Sequence, residues 1–203
     1  MFLPKRMIWP FRRKSKKRIA RILINEPITS STRVSVLKAL KQVEDREFPA
    51  LLVRIDSPGG TVGDSQEIYS AIKRLKDKGC KVIASFGNIS ASGGVYIGVA
   101  SDKIVANPGT ITGSIGVIIR GNNLSELLAK IGIKFETVKS GVFKDILSPD
   151  KPLSEEGRGL LQSLIDESYR QFIGAVAEGR NLPVEEVRKF ADGRILLERK
   201  QKN

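Results

Sequence analysis

Apolar residues along this chain fall into runs and stripes of two periods. Ile22–Ile24 form a short apolar block inside Arg18–Asn25, and Ala50–Ile55 is an apolar run interrupted by Arg54. Both have the reach of strands, and the second has the continuous character of a buried one. Lys81–Phe86 is a third strand candidate, closed by Gly87 and Asn88, and Ile104–Ala106, Ile115–Ile119 and Lys134–Val138 are shorter ones. Between them the spacing turns helical. Val36, Leu37, Leu40 and Val43 line one face of 32–46, with Ser30, Ser31 and Thr32 as candidate caps. Ile68, Ala71, Ile72 and Leu75 stripe a second helix. It is predicted to start at Asp64, with Glu67 in capping-box spacing, and to end at Gly79. Ser92-Gly93-Gly94 opens a buried helix through Ala100, and Asn123–Ile131 is helical. Ser154 starts a long helix with the stripe Leu161, Leu164, Ile165, Ser168, Phe172, Ala175 and Val176. Pro183 starts a last helix, to about Phe190. Strand, turn and helix recur about every 25–30 residues. That rhythm predicts a layered α/β fold built from βαβ-type units.

Composition narrows the chemistry. The 203 residues are 40% apolar and 28% charged, enough for one domain with a core and at most a tail. There is no histidine. A Ser-His-Asp triad, a Cys-His pair, a His-ligated zinc and an HExxH helix are therefore excluded. The single cysteine, Cys80, cannot form an intrachain disulfide or a thiolate cluster, and such cysteine usage does not suggest an oxidising compartment. Any protein base must be Asp, Glu, Lys, Tyr or an activated water. No metal and no cofactor is expected.

The net charge of +13 is uneven: nine of the 35 Lys and Arg lie in residues 1–21, which hold no acid. The sequence thus divides into a basic head over 1–18, a body over 19–195, and a charged tail over 196–203. In the head, Phe2, Leu3, Met7, Ile8, Trp9 and Phe11 are interspersed with the cations, and Pro4 and Pro10 argue against one continuous helix. No unbroken apolar core of a secretory signal is present. Aromatic and aliphatic groups beside Lys and Arg suit an anionic membrane surface; a solvated tail is the bland alternative. Nucleic acid is not the expected partner, since no nucleic-acid fold motif is present. The uncharged stretch 82–101 has the length of a membrane span, but four glycines, four serines and an asparagine make it too polar. It reads as a buried, glycine-rich site segment, and no transmembrane helix is expected.

Three glycine-rich turns follow strand-like runs: Ser57–Gly60, Ser90–Gly94 and Gly109–Gly116. Turns after strands are where α/β folds place their sites, and paired glycines let backbone N–H groups approach a substrate. Neither GxxxxGK[ST] nor GxGxxG occurs, so a nucleotide site has little support. Ser92 is the candidate nucleophile, because it precedes two glycines at the start of an apolar helix, where free N–H groups favour an oxyanion. The alternative is a helix-capping serine without chemistry. Without histidine, the plausible base is a lysine made neutral by burial or by nearby positive charge. Lys139 and Lys144 flank the Gly141 turn, and spacing does not choose between lysines.

Five ordered segments carry a family resemblance: LLVRIDSPGG at 51–60, NISASGGVYI at 88–97, DKIVANPGTITGSIGVI at 102–118, VKSGVFKDILSP at 138–149 and FADGRI at 190–195. Residues 50–195 resemble the signal peptide peptidase SppA family of Ser-Lys serine proteases, in particular the short single-repeat forms of cyanobacteria and plastids. The resemblance implies an α/β, ClpP/crotonase-like spiral of ββα units that assembles into homo-oligomeric rings. It assigns the nucleophile to Ser92, the base to Lys144 and a supporting hydrogen bond to Ser114. It places oxyanion donors at Gly60 or its neighbour Gly59, together with Gly93. It further implies that serine and lysine of one site come from neighbouring subunits, and that the substrates are signal peptides or other short hydrophobic peptides. The expected location is the cytoplasmic side of a bacterial or plastid membrane, held peripherally.

Two departures from the family pattern stand out. A basic, Trp-containing head occupies the place of the usual transmembrane anchor. After Ile195 the sequence LLERKQKN replaces the family's closing segments, which is expected to weaken assembly. Competing readings are a catalytically impaired scaffold of the same fold and a basic membrane- or nucleic-acid-binding module.

Overall fold

A computed structural model describes residues 18–197. The head expected over 1–18 therefore lies outside the described residues except for Arg18, and so do residues 198–203 of the expected tail.

Four parallel strands form the main sheet. β1 (Ala20–Ile24), β2 (Ala50–Ser57) and β3 (Lys81–Ser90) lie side by side, and β4 (Lys103–Val105) pairs with the first half of β3. Register aligns Ile22, Val53, Ala84 and Ile104 in one row across the sheet. That row faces α1 (Ser30–Asp45), α2 (Val62–Asp77) and α3 (Gly93–Gly98), the first two of which serve as the crossovers that parallel pairing requires. Val36, Leu40, Val43, Ile68, Ile72 and Leu75 supply their buried stripes, at the spacing read from the sequence. Beyond the main sheet, β5 (Ile111–Gly113) joins the end of β3 through Ile89 and Ile111, and β6 (Ile195–Leu197) pairs antiparallel with β5. Three more helices complete the described chain: α4 (Ser125–Lys130), α5 (Glu155–Arg180) and α6 (Val184–Arg188). Ser154 caps α5 as expected, its hydroxyl accepting the Gly157 N–H at 3.1 Å. Among the described residues no helix is long and apolar enough to cross a membrane.

The structure corrects several element assignments. The strand expected over 115–119 is displaced to 111–113, because Gly113 and Ser114 both take positive φ (82° and 52°) and turn the chain out of the sheet. Lys134–Val138 keeps its alternating pattern but has no neighbouring strand among the described residues, and it is not a strand. The helix expected to start at Asp64 starts two residues earlier. Thr61 is its N-cap, and the Thr61 hydroxyl donates to the Asp64 carboxylate, which also accepts Arg33 Nε at 2.7 Å. Leu196 and Leu197, assigned to the tail, are strand residues opposite Thr112 and Ile111.

Candidate active site

β2 and β3 are still paired at Ser57 and Ser90, so the glycine turns that follow them leave the sheet side by side. Their start is held by polar groups of the strand ends. Ser90 Oγ donates to the Ile55 carbonyl at 2.7 Å, and the Ala91 N–H donates to the Ser57 carbonyl at 3.1 Å.

Ser92 stands at the second position of the turn Ala91–Gly94, which the Gly94 N–H closes onto the Ala91 carbonyl at 2.8 Å. Its φ of 52° and ψ of −119° belong to a type II′ turn, where glycine is the usual occupant. A serine held there carries strain of order 1–3 kcal/mol and persists only because its surroundings over-determine it. Those surroundings are explicit: the Ser92 N–H donates to the Gly113 carbonyl at 2.9 Å, and the Tyr96 N–H donates to the Ser92 carbonyl at 3.0 Å. The result is a partly accessible hydroxyl at the head of α3, whose other residues are buried.

The SPGG turn closes over this serine. A Cβ on Gly59, whose φ is 100°, would lie 2.7 Å from both Ser92 Cβ and Gly93 N. Gly60 is pressed against Ile28, where a Cβ would stand 1.9 Å from the Ile28 carbonyl oxygen. The hydrogen bonds of this crossing use the residues on either side: the Ile28 N–H donates to Gly59 O at 2.9 Å, and the Thr61 N–H donates to Ile28 O at 3.0 Å. Among the described residues the Gly60 N–H has no acceptor, and neither has the Gly93 N–H at the first position of α3. A Cβ on Gly93 would lie 3.3 Å from Gly60 N, so the two free donors are neighbours. The Gly59 N–H is engaged by Ser57 Oγ at 3.2 Å. Of the two glycines between which the sequence does not decide, Gly60 thus carries the available donor.

A shallow cleft, open to solvent, adjoins the serine. Val62, Tyr96, Val117 and Phe172 give it apolar walls, and Gly60, Ser92 and Gly93 form its polar side. Its enclosed space, about 20 Å³, holds little more than one water. Sequence reasoning missed these wall residues, because only tertiary packing brings α2, α3 and α5 together. Tyr96 packs edge-on against Tyr69 and obliquely on Phe172, with ring centroids 5.1 and 4.9 Å away. Burial pushes the Tyr96 phenol above its usual range, so it stays protonated at neutral pH. Ser65 was also missed; its hydroxyl fills the space where a Cβ on Gly93 would sit.

The lower end of α3 is anchored by α5. Arg180 donates to the carbonyls of Ser101 at 2.8 Å and Val99 at 3.4 Å. Burial lowers the pKa of its guanidinium, which nevertheless remains charged. Such a cation at a helix C-terminus satisfies carbonyls that the helix leaves open.

Neither of the remaining predicted residues lines the pocket. Ser114 follows Gly113, the acceptor of the Ser92 N–H, and its own N–H donates to Arg194 O at 2.7 Å. Lys144 is exposed on the 139–151 segment and does not line the Ser92 pocket. Among the described residues it makes no ion pair, whereas its neighbour Asp145 makes two, with Lys139 at 2.7 Å and Lys151 at 2.6 Å. Hydrogen bonds from these two ammonium groups hold the Asp145 carboxyl down at about 2. With Asp145 engaged on both oxygens, the Lys144 amine is left without a counter-ion. Within one chain the structure therefore joins Ser92 with Gly59, Gly60, Gly93 and the Gly113–Ser114 turn, but not with Lys144.

The parallel sheet and the helices that cross it have the ClpP/crotonase-like fold. A ClpP1 variant from Listeria monocytogenes has this fold, with a TM-score of 0.58 over 86% of this chain and 80% of that chain, at 18% identity. The chain belongs to peptidase family S49, which it matches over residues 74–203. A Synechocystis sp. protein named as a protease, slr0021, is 63% identical over 189 residues, spanning 93% of this chain and 68% of that protein. An Enterococcus faecium protein named as signal peptide peptidase SppA is 42% identical, over 78% of this chain and 46% of its own length. The chloroplastic serine protease SPPA of Arabidopsis thaliana is 36% identical, over 75% of this chain and 22% of its own. The chain thus spans only part of each of these longer relatives.

Proposed function

We propose that this chain is a serine-type endopeptidase that cleaves short apolar peptides, signal peptides among them, with Ser92 as nucleophile and Lys144 of a neighbouring copy as base. The observation that carries the reading is the convergence of a strained Ser92 with two unpaired N–H groups, Gly60 and Gly93, on one spot. Strain and unpaired donors both cost stability, and a site that stabilises a developing oxyanion accounts for both.

In this mechanism the Ser92 Oγ adds to a peptide carbonyl while its proton passes to the neutral Lys144 amine. The carbonyl oxygen becomes an oxyanion between the Gly60 and Gly93 N–H groups. The C–N bond then breaks as Lys144 returns the proton to the leaving amine, and an acyl-Ser92 ester remains. A water gives up its proton to Lys144 and adds to the ester, and the acyl–Oγ bond then breaks as Lys144 returns the proton to Ser92 Oγ, releasing the acid. Ser114 is assigned to hold the lysine. The apolar residues Val62, Tyr96, Val117 and Phe172 lining the cleft beside Ser92 support an apolar substrate surface next to the scissile bond. The exposed Lys144, which makes no ion pair among the described residues, supports delivery to a second copy.

The test mixes Ser92→Ala with Lys144→Ala protein. Each variant alone is inactive; if sites form across copies, the mixture regains turnover of a hydrophobic peptide. An active wild type that sediments as a monomer, with no recovery in the mixture, would place both groups in one chain. A wild type without turnover at any concentration would leave the impaired scaffold as the function.

A further inference from the structure

Among the described residues the main sheet is covered by helices on one face only. On the other, register aligns Arg21, Leu52, Ile83 and Lys103 in one row, and Leu23, Arg54, Ser85 and Val105 in the next. Leu23, Ile83 and Val105 are 50%, 40% and 55% exposed, and none of the eight belongs to the buried core. Parallel sheets are normally covered on both faces, and no described residue supplies the second layer here. Its charge is one-sided. Arg21, Arg54, Lys81 and Lys103 share the face with the aliphatic groups, and among the described residues none of the four makes an ion pair. The first carboxylate on the face is Asp56 at the far end of β2, already engaged by the Ile89 N–H at 3.0 Å.

We propose that this open face is a lipid-docking surface that seats the protein on an anionic bilayer. Three features select that occupant. Cations and aliphatic side chains share the face, so the Arg21, Lys81 and Lys103 heads reach phosphates while Leu23, Leu52, Ile83 and Val105 meet the acyl boundary; Arg54 instead donates to Ser85 Oγ at 2.9 Å and to the Phe86 carbonyl at 2.8 Å. Four strands side by side present a shallow surface about 15–20 Å across, suited to a plane rather than to a knob-like partner. In sequence, the polybasic segment 5–18 runs directly into β1, the strand that carries Arg21 and Leu23. The site at the C-terminal ends of the same strands lies away from the centre of this face. The assignment does not depend on the peptidase reading.

The test is co-sedimentation of the full-length chain with vesicles of equal parts phosphatidylcholine and phosphatidylglycerol. Each basic group near an anionic surface contributes roughly a fivefold change in partition. The double variant Arg21→Gln/Lys103→Gln, head intact, is expected to partition about 25-fold less, and Leu23→Ser/Val105→Ser also less. Pure phosphatidylcholine vesicles should bind wild type and variants equally weakly. These half-exposed positions should leave the melting curve and peptide turnover in solution unchanged, so failure here is separate from failure of the peptidase reading. If one pair disturbs the melt, Lys81→Gln alone retains the expectation of a fivefold drop. Partition equal to wild type in the folded variants overturns the proposal. A changed sedimentation coefficient with unchanged vesicle binding also overturns it, and makes the face a contact between copies.

Discussion

Replacing Ser92 with glycine should raise stability while abolishing turnover. At φ 52° and ψ −119° the residue sits where a Cβ is disfavoured, at a cost of about 1–3 kcal/mol. Glycine removes that cost but gives the unfolded chain more freedom, which takes back about 0.4–1 kcal/mol. The net expectation is about 1–2 kcal/mol of stabilisation, or roughly 2–8 °C in Tm for a domain of this size. The proper reference is Ser92→Ala, because both variants lose the hydroxyl and only one keeps the Cβ. The strain is sustained by the Gly113 carbonyl and the turn bond from Gly94, neither of which uses the side chain. Calorimetric unfolding of the two variants, with hydrophobic-peptide hydrolysis in parallel, is the assay. If Ser92→Gly melts at or below Ser92→Ala, the strain argument fails. If either variant retains turnover above background, Ser92 is not the nucleophile.

Two further outcomes follow from the same geometry. Gly60→Ala puts a Cβ 1.9 Å from the Ile28 carbonyl oxygen, so the Ile28 crossing must open and carry the Gly60 N–H away from Gly93. Turnover should fall at least 100-fold, as for loss of one oxyanion donor, with a stability loss of about 1–3 kcal/mol from overpacking; near-wild-type turnover would remove Gly60 from the site. For Asp145, a folded-state pKa of about 2 lies below the ordinary value of 3.8. The clamp with Lys139 and Lys151 therefore contributes stability above about pH 4 and loses it as pH falls toward 2. A carbon-13 titration of the Asp145 carboxyl should show a midpoint near 2 that rises in Lys151→Gln, and a wild-type midpoint near 3.8 would show that the clamp does not form.

The buried strands and helices were legible in the sequence because each carries its own period. Ala50–Ile55 is continuous enough for a buried strand, and Ile68, Ala71, Ile72 and Leu75 recur as a helix demands. The absence of histidine fixed the permissible chemistry before any fold was known, and family motifs named Ser92 and Lys144. Lys134–Val138 misled the reading because alternation states only a preference, while a strand exists only when another strand accepts its hydrogen bonds. Asp64 misled it because Thr61 and Asp64 form a local pair one turn earlier than the Asp64–Glu67 spacing suggested. Tertiary structure alone decided three things. It left the Gly60 N–H free of any acceptor among the described residues while Ser57 Oγ takes the Gly59 N–H, a difference set by the Ile28 crossing and the strand end. It assembled the pocket from α2, α3 and α5, whose residues are up to about 110 positions apart in sequence. It also set Lys144 outside the Ser92 pocket, since distance in space depends on how 139–151 is clamped, and no linear spacing encodes that.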